Sequence, residues 1–115
     1  MKEFMMLFRS DERAEQEFAQ LTPEEMQEQV KIWQDWIGGI AAQDKFVATN
    51  ALGTQGKIVK ANNVVTDGPY IEMKEMVGGY IIVKAEDIDE AVRLSEGCPV
   101  LSTGGSVEVR DVMVF

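Results

Sequence analysis

Between Leu21 and Ile40 the chain carries one long apolar stripe, and that stripe limits what the rest can be. Thr22-Pro23-Glu24-Glu25 supplies the start signals of a helix. Thr22 can cap, Pro23 suits the first helical position, and Glu25 completes a capping box. Met26, Val30, Trp33, Ile37 and Ile40 follow at spacings of four and three, which is one face of a helix. Such a face has to lie on a core or a sheet. Gly38-Gly39 stands inside the stripe, and each glycine costs about 1 kcal/mol against alanine in a helix interior. The pair is expected either to admit another backbone closely or to mark a kink.

The flanking sequence supplies strands. Lys2 to Arg9 is a short apolar run, Lys45 to Ala51 a second, Gly79 to Ala85 the clearest, and Ser106 to Phe115 a last one. Leu52 to Gly56 reads as a turn. Lys57-Ile58-Val59-Lys60 and Val64-Val65-Thr66 flank Ala61-Asn62-Asn63, a hairpin whose asparagines tolerate left-handed backbone. A second helix opens at Glu86-Asp87-Ile88-Asp89-Glu90, with Asp87 as cap and Ile88, Ala91, Val92 and Ser95 facing inward. Gly97 ends it and Pro99 stops it. The order is β-α-β, a hairpin insertion, then β-α-β. It implies one α+β domain over residues 1–115: an antiparallel sheet with two helices on one face, as in ferredoxin-like folds. Several strands are apolar on both sides. A second copy of the chain is the economical cover for the bare face, giving a homodimer.

Charge and composition narrow the functions. Lys+Arg is 11 and Asp+Glu is 20, a net charge of −9. That surface repels phosphates, so nucleic acid and anionic membranes are not expected partners. Phe4 to Phe8 is too short to span a bilayer, and no signal peptide is recognisable, which points to a cytoplasmic protein. With one cysteine and no histidine, an intramolecular disulfide, His/Cys metal sites and the Ser-His and Cys-His dyads are all excluded. No metal and no cofactor are expected. Cys98 has no basic neighbour in sequence and reads as inert.

The most distinctive motif is Thr66-Asp67-Gly68-Pro69-Tyr70, followed by Glu72-Met73-Lys74-Glu75 and Gly78-Gly79-Tyr80. With Asp87-Ile88-Asp89-Glu90-Ala91, Gly105-Ser106-Val107-Glu108-Val109-Arg110 and the opening Phe4-Met5-Met6-Leu7, it resembles the signature of the DGPF family in the YCII-related superfamily. Tyr70 replaces the family's Phe, keeping the ring and adding a hydroxyl. The resemblance covers nearly the whole chain and implies a dimeric α+β barrel of ferredoxin-like halves. Most members of the family have no assigned activity, and some sit beside extracytoplasmic-function sigma factors. One relative in the superfamily is a dehydrochlorinase acting on a chlorinated hydroquinone, for which a His-Asp pair is proposed. That pair does not carry over to a chain without histidine; Asp67 alone matches its acidic member.

Each candidate residue has two readings at this point. Asp67 is either the side chain that closes an Asp-Gly-Pro turn or a carboxylate at a dimer cleft that moves a proton. Glu72 and Lys74 either bind a polar ligand or sit on a solvated loop. Tyr70 and Tyr80 either offer hydroxyls to a ligand or are core rings with one polar tip. Trp36, beside the helix stripe, either lines a pocket or is half buried at an edge. Arg9 and Arg110 lie on strands expected to be neighbours and either hold a carboxylate or phenolate or pair with Glu108 or Asp11. Two function classes follow. One is a small-molecule-binding or accessory, regulatory homodimer without chemistry of its own. The alternative is an enzyme using Asp67 as general acid/base on a small cyclic or aromatic substrate, lyase or dehydrochlorinase-like.

Overall fold

The computed structural model describes residues 1–68 and 76–115. Its elements are β1 (Lys2–Ser10), α1 (Glu12–Ala19), α2 (Pro23–Ala42), β2 (Phe46–Ala51), β3 (Gly56–Lys60), β4 (Val64–Gly68), β5 (Met76–Ala85), α3 (Ile88–Ser95) and β6 (Ser106–Asp111). Four strands form one antiparallel sheet in the order β2-β5-β1-β6, the ferredoxin-like arrangement. The strands β3 and β4 pair only with each other, as a separate two-stranded arm.

Alternation along the central strands sorts the two faces. Phe4, Met6 and Phe8 of β1 are buried, as are Ile81, Val83 and Ala85 of β5. Ile40 of α2, Ala91 of α3, Cys98 and Val100 complete this core, and Trp33, Trp36, Ile37, Leu94, Val107 and Val109 pack around it. Phe8 meets Trp33 and Trp36 edge-on at centroid distances of 4.8 and 5.8 Å, a favoured aromatic geometry. The helices α2 and α3 thus cover one face.

The capping box at Thr22 forms as its sequence requires: the Glu25 N–H donates to Thr22 Oγ1 and Glu25 Oε1 accepts from the Thr22 N–H. α2 runs through Gly38-Gly39 without a break, with open space where their side chains would be. Asp87 caps α3 by accepting from the Glu90 N–H at 2.8 Å. The inner face of α3 is narrower than its sequence suggests. Ala91 and Ser95 are buried, whereas Ile88 and Val92 are 42% and 45% exposed. The last strand is also shorter than expected, because β1 runs out: Asp111 lies opposite Phe4, and Val112 adds one bond to the Glu3 carbonyl. The turn into β6 needs both glycines. Gly104 has φ of +85°, and a Cβ on Gly105 would stand 2.5 Å from the Arg9 carbonyl.

The arm makes the molecule open in outline. Its Cα radius of gyration is 15.5 Å, against about 13 Å for a compact domain of this length. At the tip, Asn62 and Asn63 take φ of 66° and 62°, the left-handed backbone that asparagine tolerates.

Candidate functional site

The sheet face away from the helices is set by the same alternation that builds the core. Met5, Leu7 and Arg9 of β1 point there, and Tyr80 and Ile82 of β5 stand beside them, all half-buried. The register aligns two rows across the sheet. Asn50, Tyr80, Leu7 and Glu108 form one; Ala48, Ile82, Met5 and Arg110 form the next. Strands lie about 4.8 Å apart, so the residues flanking β1 in each row are about 10 Å from one another. The floor between them is apolar: Met5, Leu7 and Ile82.

Polar groups rim this floor on both sides. Arg9 Nη1 donates to Glu108 Oε1 at 3.0 Å, and Arg110 Nη1 stands 4.0 Å from Glu108 Oε2. Glu108 therefore sits between two guanidiniums, and the trio carries one net positive charge on an acidic protein. On the other side, Asn50 Nδ2 donates to the Tyr80 hydroxyl at 3.0 Å. This leaves the Tyr80 proton available to an acceptor. Thr49 Oγ1 donates to the Tyr80 carbonyl at 2.8 Å and steadies the strand beneath.

Three of the sequence candidates, Arg9, Tyr80 and Arg110, thus share one face. Glu108 is the Arg9 partner, one of the two pairings open from sequence. Asp11 instead caps α1, accepting from the Ala14 N–H at 2.8 Å. Trp36 lies on the opposite face, half-buried against the core, where its indole N–H donates to the Leu94 carbonyl at 3.2 Å. Asp67 belongs to neither face. It stands in β4, opposite Lys57, and its side chain is 92% exposed and held 2.6 Å from Lys57 Nζ. Tyr70, Glu72 and Lys74 lie outside the described residues. Asn50 is the site residue that sequence reading missed. Its signal was its place in β2, two residues on from Ala48, which puts it across from Tyr80.

Burial pushes the Cys98 thiol up to about 11, which keeps it protonated and unreactive at neutral pH. Among the described residues no group of three or more His, Cys, Asp and Glu side chains could hold a metal ion, and no helix is long and apolar enough to cross a membrane.

The model of the YCII-related domain matches residues 3–115 of the chain. No match was found among curated proteins. Among solved structures, the chain is similar to the 5-chloro-2-hydroxyhydroquinone dehydrochlorinase of Burkholderia phenoliruptrix in complex with 2,5-dihydroxybenzoquinone. The TM-score is 0.50 at 19% identity, over 98% of this chain and 95% of that one. Likeness at that identity speaks for the fold.

Proposed function

The chain belongs to the YCII-related domain family, and from that premise we propose that it is a cytoplasmic homodimer that binds a small hydroxylated or carboxylated ring on its open sheet face. The ring lies on Leu7, between Tyr80 on one side and the Arg9–Glu108–Arg110 trio on the other. The observation that carries this reading is the juxtaposition of an apolar floor about 10 Å wide with donors on both rims. The guanidiniums match a phenolate or carboxylate oxygen, and the Tyr80 hydroxyl matches a second oxygen across the ring. The motif at Asp67-Gly68-Pro69-Tyr70 favours the DGPF branch of the family. With no histidine in the chain, the role is binding, accessory or regulatory rather than catalytic.

The test is calorimetric titration with 2,5-dihydroxybenzoquinone and with a hydroxybenzoate. Saturable binding is expected, weakened on the order of tenfold in Tyr80→Phe and more in Arg110→Ala, as loss of a neutral and of a charged hydrogen bond predicts. Heat that does not saturate, or that both variants leave unchanged, would remove this reading.

A second reading takes its support from the bound ring of the dehydrochlorinase that shares the fold. In it, Asp67 moves a proton on a small cyclic or aromatic substrate. Turnover of a halogenated hydroquinone that is lost in Asp67→Asn would establish it over the first.

A further inference from the structure

On the β2 side of the open face, one strand holds Tyr80 at both ends. The Thr49 hydroxyl donates to the Tyr80 carbonyl at 2.8 Å, and Asn50 Nδ2 donates to its hydroxyl at 3.0 Å. Asn50 lies directly across from Tyr80 in the register. Gly79 lets the two strands meet there, since a Cβ at that position would stand 2.9 Å from the Asn50 carbonyl oxygen. A phenol has one proton to give and an oxygen that accepts. With the Asn50 amide on that oxygen, the Tyr80 proton is what remains for a ligand. Leu7, Ala48 and Ile82, its neighbours on this face, carry no polar side-chain atom. The opposite rim also donates, through the guanidiniums of Arg9 and Arg110, and Glu108 faces those guanidiniums with both oxygens.

We propose that Asn50 is a positioning residue: it commits the Tyr80 hydroxyl to donating, and so restricts the site to rings that present acceptors at both ends. An oxyanion goes to the guanidiniums, and a carbonyl or a second oxyanion goes to Tyr80. A quinone-type or keto ring meets both requirements. Its reduced, hydroxylated counterpart can also accept from Tyr80. It then carries a proton for which Leu7, Ala48 and Ile82 supply no acceptor, and a donor left unpaired against an apolar surface is costly. A ring amine is the limiting case, because it sets donor against donor. The site thus separates rings of one size by the direction of one hydrogen bond, a sharper criterion than apolar fit.

This inference rests on the open face being the ligand surface, but the two fail separately. Binding of any ring reads the surface, whereas the ratio of affinities for two rings reads Asn50. A merely structural role for Asn50 would change both affinities alike and leave their ratio where it was.

The experiment is calorimetric titration of the full chain with 4-acetylbenzoate and 4-aminobenzoate, which share the carboxylate and differ in whether the para group accepts or donates. The wild type is expected to bind the acetyl ring on the order of tenfold more tightly, as one neutral hydrogen bond made rather than unmade predicts. Asn50→Asp places only acceptors beside Tyr80. Its carboxylate takes the phenol proton and leaves the phenol oxygen to accept, so the preference is expected to reverse, while the added charge weakens both anions alike. Tyr80→Phe is expected to bring the ratio to about one. Asn50 is exposed, so its variant is expected to keep the wild-type circular dichroism. Two rings that bind the wild type equally, or a ratio that Asn50→Asp leaves unchanged, would overturn the proposal and leave the ligand surface standing. If neither ring saturates the protein, the ligand surface falls and Asn50 loses its role with it.

Discussion

At the scale of single residues, Asp67 is the informative position. Its motif offered two roles, and both require the carboxylate to be engaged or enclosed. Among the described residues it stands on a strand, 92% exposed, against a Lys57 side chain that is 64% exposed. An ion pair that open is screened by water and contributes roughly 0.2–1 kcal/mol. Asp67→Ala is therefore expected to lower the urea-unfolding free energy by less than about 1 kcal/mol. A loss of about 2 kcal/mol or more would mean that the carboxylate closes a turn into the following segment. Arg9 shows the opposite behaviour. Its side chain is largely covered, and Glu108 fixes it in one direction, toward the floor beside Leu7.

At the scale of elements, two carboxylates hold the starts of helices, and their titration adds to the acid sensitivity of the fold. In Glu25 the Thr22 backbone N–H, and then the Thr22 hydroxyl, hold the carboxyl below its ordinary value of 4.5. In Glu90 the Lys45 ammonium at 3.1 Å does the same, helped by the Glu86 N–H, and ties the start of β2 to α3. Both folded values lie below the unfolded ones, so near that range the unfolded chain binds more protons. The stability these groups contribute is complete above 4.5 and is lost as pH falls through their lower folded values. Denaturant unfolding between neutral pH and about pH 3 should show stability falling, and Glu90→Gln should flatten that fall. An unchanged slope in Glu90→Gln would show that the Lys45 contact is not maintained in solution. Elements with such end signals were legible in sequence: α2 from its capping box and stripe, α3 from Asp87, and the hairpin from its paired asparagines. α1 was not. Five of its eight residues are charged or polar, and Phe18, its one large apolar side chain, is left 53% exposed, so it has too little of an apolar period to read, and its one signal is the Asp11 cap. Trp36 is half-buried, one of the two readings its place beside the stripe allowed. From there its ring is long enough to reach Phe8 and Leu94 and packs against the core.

For the whole molecule, what the sequence could place was the sheet order and the need for something over its second face. It could not place the arm relative to the body, because alternation fixes which side a residue faces but not where a hairpin projects. The distribution of charge makes the association of two copies testable without mutation. Two bodies at −9 repel each other at long range. The repulsion is screened as salt rises, since the Debye length shrinks from about 30 Å at 0.01 M to about 10 Å at 0.1 M. Dimer affinity is therefore expected to rise with salt over this range, as read by sedimentation equilibrium at the two concentrations. Ring binding should move the other way, because the guanidiniums of Arg9 and Arg110 attract an anionic ligand and added salt weakens that attraction. Opposite salt dependences in one protein would separate the net repulsion between copies from the local attraction of the guanidiniums for the ring. If affinity between copies instead fell with salt, the interface would have to be built on ion pairs.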